Sequence, residues 1–209
     1  MQRIGILGGS FNPIHNGHIM LARTALTEYK LDKVLIMPNC DTYYKKDAAI
    51  SDDDRLQMIK LAIKDIEGLE PSDIELKRGG ITYTIDTIRE LKQADRENHV
   101  RNKYFFIIGG DSLKNLYYWR EIKKLFSSMT FLAAVRDDID ITELQAIRES
   151  YIEKYKDVKI EFLSCDAGNI SSSAIRKDVN GNVDISDRVP AAVDEYIRDK
   201  GLYLQGADI

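Results

Sequence analysis

Cysteine is scarce in this chain: Cys40 and Cys165 are the only two in 209 residues. With no CxxC pair and no Cys/His cluster, a disulfide framework and a structural zinc site have no basis, and no metal-ligating set of side chains is expected. Each cysteine reads instead as a small buried side chain. Neither sign of charge dominates, with 30 basic against 34 acidic residues and a net charge of −4. That excludes a surface built to coat nucleic acid and leaves room only for a local pocket that takes phosphates. No apolar run approaches the roughly 20 residues of a membrane span. The opening residues run straight into strand and loop with no leader pattern, so a cytoplasmic protein with no membrane partner is expected. Repeats and low-complexity stretches are absent too. What remains is a globular composition, 44% hydrophobic and 31% charged, long enough for a substantial core. One domain over residues 1–209 is expected, with a helical annex over about 171–209.

Histidine is also sparse, and two of the three in the chain stand together in its most informative stretch, Arg3-Ile4-Gly5-Ile6-Leu7-Gly8-Gly9-Ser10-Phe11-Asn12-Pro13-Ile14-His15-Asn16-Gly17-His18. Ile4, Ile6 and Leu7 suit a strand covered on both faces, as in a parallel sheet. Gly8 and Gly9 let the backbone approach a ligand with no Cβ in the way. The apolar segment Ile19–Leu26 is helical in pattern, so His15 and His18 fall at a helix start, three residues apart on one face. A helix N-terminus with two imidazoles beside it is an anion site in outline.

The string Gly8–His18 resembles the signature of the HxGH nucleotidyltransferases, which move a nucleotidyl group from a nucleoside triphosphate to a phosphorylated acceptor. Later stretches are most similar to bacterial nicotinate-mononucleotide adenylyltransferase, and the resemblance runs from Gly5 to about Tyr203. It implies that Gly8, Gly9, Ser10, Phe11 and Gly17 contact ATP, and that His15 and His18 are catalytic.

Lys33–Pro38 reads as a second buried strand, completing a βαβ unit with a right-handed crossover. The polar stretch that follows leaves the C-terminal end of this strand, where open α/β sheets carry their ligand crevice. The family carries a phosphate-contacting lysine there, and Lys46 is its match, although this chain has Thr42-Tyr43-Tyr44-Lys45-Lys46 where Pro-Pro-His often precedes the lysine. Ser51 is expected to cap a helix whose first turn holds Asp52, Asp53 and Asp54 and whose apolar face is Leu56, Ile59, Ala62, Ile63 and Ile66. Asp73–Leu76 is a short strand candidate. Beyond it, Gly79-Gly80-Ile81-Thr82-Tyr83-Thr84 opens a helix with hydroxyls at its start, and the resemblance makes Tyr83 and Thr84 contacts of the acceptor mononucleotide.

His99 lies in a charged connection and is read as exposed and uninvolved. Lys103–Ile108 is another buried strand, ending in Gly109-Gly110-Asp111. Glycine there lets a base or ribose lie on the backbone, and a carboxylate can accept ribose hydroxyls; by resemblance Gly109 and Asp111 contact the adenosine. Trp119, the only tryptophan, suits the core edge and equally suits stacking on a pyridine ring; in the family, a tryptophan in this setting is the nicotinate platform. Ser128–Val135 and Lys159–Leu163 read as further strands, with a helix over about 142–156 between them. Finally, Ile170-Ser171-Ser172-Ser173-Ala174-Ile175-Arg176 combines hydroxyls at a helix start with an arginine one turn on. It resembles the superfamily's triphosphate-binding element, so Ile170, Ser171, Ser172 and Arg176 are implied ATP contacts, Arg176 also sharing in catalysis.

At least five parallel-type strands alternating with helices give a doubly wound, Rossmann-like α/β fold. The implied activity is adenylyl transfer from ATP to nicotinate mononucleotide, giving deamido-NAD and pyrophosphate, with Mg²⁺ carried mainly by the ATP phosphates. The sequence leaves open a dual-specific enzyme that also takes nicotinamide mononucleotide, a pantetheine-phosphate adenylyltransferase, a cytidylyltransferase, and a nucleotide-binding domain without catalysis. A homo-oligomer is equally compatible with it.

Overall fold

Strands covered on both faces must be apolar at successive positions, and that is what the centre of this molecule shows. The computed structural model describes residues 1–40, 50–135, 141–165 and 170–204. In β1 (Arg3–Gly9), Leu7 packs into the core on one side of the sheet while Ile4 and Ile6 pack on the other. The same division splits Val34 and Ile36 from Leu35 and Met37 in β2 (Lys33–Pro38), and Phe105 and Ile107 from Phe106 and Ile108 in β4 (Lys103–Gly109). With β3 (Leu69–Pro71), β5 (Thr130–Val135) and β6 (Ile160–Ser164) the sheet has six strands in the order β3-β2-β1-β4-β5-β6, all parallel. The strand order reverses between β1 and β4, and a crevice opens at their carboxyl ends.

Helices α1 (Asn16–Glu28), α2 (Asp52–Ile63), α3 (Ile74–Arg78) and α4 (Thr84–Glu97) follow the first three strands. Next come α5 (Gly110–Lys114), a 3₁₀ turn over Leu116–Tyr118, α6 (Ile122–Ser128) and α7 (Ile141–Lys154). The chain closes with α8 (Ser172–Asn180) and α9 (Ala191–Asp199); α9 packs on α2, where the Tyr196 hydroxyl donates to Asp54 at 2.7 Å. Ser51 caps α2 as its sequence predicts, its hydroxyl accepting from the Asp54 N–H at 3.0 Å. Among the described residues no helix is long and apolar enough to cross a membrane. Cys40 and Cys165 are both buried and unbridged, and His99 is exposed.

Two sequence expectations need correction. The segment Asp73–Leu76 is not a strand: Asp73 precedes the short helix α3, which ends at Gly79 with φ +68°. The edge strand lies just upstream, in the three residues Leu69–Pro71. An Asp-Ile-Glu-Leu alternation imitates a half-buried strand, but the buried member is Glu75, held by side-chain hydrogen bonds rather than by apolar packing. On α2, Leu56 is only half-buried, and the buried position beside it belongs to Arg55 at 5% exposure. Its guanidinium donates to the Ser10 carbonyl at 2.6 Å and the Asn39 carbonyl at 2.7 Å, clamping the loops that leave β1 and β2.

Candidate active site

A cavity of about 740 Å³ occupies the crevice between the ends of β1 and β4. Its floor is backbone: Gly8 and Gly9 from β1, and Gly109 from β4. A Cβ on Gly109 would meet no atom within 4 Å, so the missing side chain leaves open space that a ligand can fill. At Gly9 the reason for glycine is different, since a Cβ there would come within 3.3 Å of the Phe11 ring.

His15 and His18 both line this cavity. His15 is the residue before α1, and the two imidazoles stack with centroids 3.6 Å apart and planes inclined by 25°. The His15 backbone N–H donates to His18 Nδ1 at 3.3 Å. An accepting Nδ1 leaves the proton of the neutral ring on Nε2, which makes His18 a directed donor. Beneath it sits Phe11, its ring edge-on to His18 at 4.9 Å. Phe11 is 1% exposed and takes φ +45°, a left-handed backbone that only tight packing sustains in such a residue. Its place is therefore under the histidine, supporting it, and not on the cavity wall.

The C-terminal segment reaches back over the first loop. Ile170, Ser171 and Ser172 line the cavity; the Ser171 side chain caps α8 by accepting from the Ala174 N–H at 3.2 Å. Ser172 Oγ donates to the Pro13 carbonyl at 2.8 Å, and Arg176 donates to the Asn12 carbonyl at 2.8 Å. These bonds cross more than 150 residues of chain and fix the loop that carries His15. Arg176 itself, like Ser10, is not on the cavity wall, and Asp111 is exposed with Ser112 lining the cavity in its stead. Gly17 lines the cavity. Lys46 lies outside the described residues.

On the far side the wall is made by Tyr83, Thr84 and Trp119. Trp119 meets its core-edge reading, packing edge-on to Phe106 at 5.7 Å and Phe131 at 6.0 Å, and it also lines the cavity. Tyr83 precedes α4, and Thr84 is that helix's first residue.

The sequence did not single out Glu75, Asn39 or Arg120, all of which line the cavity. Glu75 is 5% exposed; its Oε1 accepts from the Thr87 hydroxyl at 2.5 Å, and Arg78 stands 3.9 Å away. Burial pushes its carboxyl above the ordinary range, opposed by the Thr87 hydrogen bond and the Arg78 charge. A carboxylate surrounded by Ile74 and Leu76 in sequence gives no cue that it is buried. Arg120 did carry a signal, an arginine directly after the only tryptophan.

Residues 6–178 match the cytidylyltransferase-like family. The chain is 39% identical over 206 residues to a protein of Lachnoclostridium phytofermentans, covering 98% of this chain and 100% of the relative. It is 38% identical over 204 residues to one of Synechococcus sp. (strain JA-3-3Ab), covering 97% and 95%. Both relatives bear the curated name "Probable nicotinate-nucleotide adenylyltransferase". In fold it is similar to the Plasmodium falciparum nicotinic acid mononucleotide adenylyltransferase solved with APC, with a TM-score of 0.74 at 22% identity over 97% of this chain and 98% of that one. A second structure of that enzyme, complexed with NaAD, gives a TM-score of 0.72. The crevice of a single parallel sheet, with paired histidines at its switch point, and full-length relatives at 38% and 39% identity lead to one assignment: the chain is a nucleotidyltransferase belonging to the nicotinate-nucleotide adenylyltransferase family.

Proposed function

We propose that this site transfers the adenylyl group of ATP to nicotinate mononucleotide, releasing pyrophosphate and forming deamido-NAD. The observation that carries the reading is one continuous cavity with the His15/His18 pair against the Gly8–Gly9 backbone on one side and the Tyr83–Trp119 aromatic wall on the other. The first is suited to a triphosphate and the second to a flat ring.

In the reaction a phosphate oxygen of the mononucleotide attacks the α-phosphorus of ATP. The bond from that phosphorus to the bridging oxygen breaks, and pyrophosphate leaves with the electron pair. A phosphate monoester has its second pKa near 6 and is mostly dianionic at neutral pH, so the nucleophile needs no general base. What the protein supplies is alignment and donors for the charge that builds on the α- and β-phosphate oxygens. His18, with its Nδ1 occupied by the His15 N–H, offers Nε2–H to those oxygens, and His15 acts beside it. Gly8, Gly9 and Gly17 give the triphosphate room against the backbone, Ser171 offers a hydroxyl and Ser172 its backbone N–H at the start of α8, and Gly109 receives the adenosine. Ile170 lines the cavity beside them, while Ser10, Phe11, Asp111 and Arg176 act around this first layer, with Arg176 and Ser172 anchoring the loop through Asn12 and Pro13. Lys46 is assigned to the triphosphate by resemblance alone.

Among the described residues no three His, Cys, Asp or Glu side chains cluster as a metal cage. Magnesium is assigned by resemblance, as an ion carried on the ATP phosphates with much of its water, and its chemistry there would be to neutralise phosphate charge. A reaction drawing on ATP and a free mononucleotide suits the cytoplasm.

Pyrophosphate release tests the reading directly: purified protein, ATP and Mg²⁺, with nicotinate and nicotinamide mononucleotides compared by kcat/KM. Turnover favouring the nicotinate form is expected. Release only with phosphopantetheine in place of the pyridine mononucleotides, or only with CTP in place of ATP, would overturn it.

A further inference from the structure

Selection between a pyridine carboxylate and the carboxamide of equal size needs a group that tells charge and donor pattern apart. Of the arginines and lysines among the described residues, Arg120 alone lines the cavity. It directly follows Trp119, and its guanidinium carbon lies 4.7 Å from the centroid of the Tyr83 ring. The cation is thus stacked on one of the two aromatic residues that form the ring-binding wall. Its ion pair with Asp86 is long, at 3.9 Å, and Asp86 is held more closely by Arg89 at 3.0 Å. Arg89 is in turn bound by both carboxylate oxygens of Glu121, at 2.7 and 2.8 Å. The side chain of Arg120 is 55% exposed, so these contacts leave much of it accessible to a ligand.

We propose that Arg120, stacked on Tyr83 beside Trp119, is the residue that selects a nicotinate over a nicotinamide acceptor. The inference rests on the function proposed above. The acceptor's phosphate has to reach the histidine end of the cavity to attack, so a cation fixed at the Tyr83–Trp119 wall meets the pyridine end. A guanidinium carries only donors. Against a carboxylate it makes charge-assisted hydrogen bonds, two at once where the planes align. Against a carboxamide it gains no charge term and confronts an NH₂ group that is itself a donor.

The test compares wild type, Arg120→Met and Arg120→Lys with both mononucleotides, by pyrophosphate release and by binding. Trp119 is the sole tryptophan, so quenching of its fluorescence reads acceptor affinity without turnover. Arg120→Met is expected to lower the nicotinate-to-nicotinamide ratio of kcat/KM and of affinity by about tenfold or more, through the nicotinate side, with KM for ATP unchanged. Arg120→Lys keeps the charge but loses the planar fork, and falls between. Equal losses for both acceptors would overturn the proposal, because they would assign Arg120 to the phosphate or ribose that the two share. An unchanged ratio would overturn it as well, while an active wild type would leave the adenylyl-transfer reading standing. Wild-type protein that turned over neither acceptor would overturn that reading and this inference with it.

Discussion

His18, the histidine proposed to donate to the phosphates, shows how much of a side chain's role is set by what surrounds it. Its imidazole is stacked on His15, backed by the Phe11 ring edge, and fixed in one tautomer by a backbone N–H. Each contact restricts one degree of freedom, so the donor is in position before substrate arrives and no reorganisation is needed as charge develops. His18→Ala is expected to lower kcat about 10²-fold, a loss of about 2.7 kcal/mol of transition-state stabilisation, with KM for ATP changed far less. Steady-state pyrophosphate release checks this, and an unchanged kcat would remove His18 from the mechanism. Arg55 is the opposite case, a charged residue with a purely architectural task. It ties the Ser10 and Asn39 carbonyls together from within α2, a buried cation whose donors are taken up by backbone oxygens and by Asp52.

Strand ends and helix starts are the elements that make the site, and Gly109 is the point where a strand hands over to a helix. Its backbone, at φ −75° and ψ 158°, is one that alanine adopts freely, and its missing Cβ faces open cavity. Gly109→Ala should therefore leave stability within about 0.5 kcal/mol of wild type while raising KM for ATP. Thermal unfolding and kinetics on the same sample separate the two effects, and an unaltered KM would place the adenosine elsewhere. At the α3–α4 junction, Glu75, Thr87 and Arg78 bind the two helices across the Gly79–Gly80 turn that leads to Tyr83. Burial raises the Glu75 pKa above its ordinary 4.5, so the folded protein holds that proton more tightly than the unfolded chain does. The associated stability is present below 4.5 and is lost as pH rises through the folded-state value. Glu75→Gln cannot titrate. Its unfolding free energy relative to wild type should thus move in the variant's favour as pH rises from 4.5 toward neutrality, measured by urea unfolding. A difference that stays flat with pH would show that burial does not burden the carboxylate.

At the scale of the whole molecule, the C-terminal helices close the first loop and the second helix together. Arg176 and Ser172 hold the Asn12–Pro13 backbone, and Tyr196 on α9 donates to Asp54 on α2. The Ser51 hydroxyl first, and Tyr196 second, hold the Asp54 carboxyl below its ordinary range. Burial and that same bond push the Tyr196 phenol up to about 12. Tyr196→Phe is expected to cost about 1 kcal/mol at neutral pH. Because Asp54 has a lowered pKa, this contribution is present above its ordinary 3.8 and is lost as pH falls through the folded-state value, so the variant's deficit should shrink in acid. Denaturant melts at both ends of that range would reveal it.

The parallel sheet was legible in the chain because doubly buried strands must be apolar without alternation, as Ile4–Leu7, Val34–Met37 and Tyr104–Ile108 are. Local spacing likewise marked the paired histidines at a helix start, after two glycines, as neighbours, and the structure brings all four residues to one cavity. The edge strand escaped notice since three residues with one partner carry too little pattern, and α3 was mistaken for it because Glu75 is buried by polar bonds that composition does not encode. Local spacing fixes which residues share a face; it does not fix which faces meet. Only the tertiary structure decided that Phe11 supports a histidine, that Arg55 clamps two loops, and that Arg120 and Tyr83, 37 residues apart in sequence, meet at the cavity wall. Those contacts form when crossovers bring distant strand ends together, and no local rule determines them.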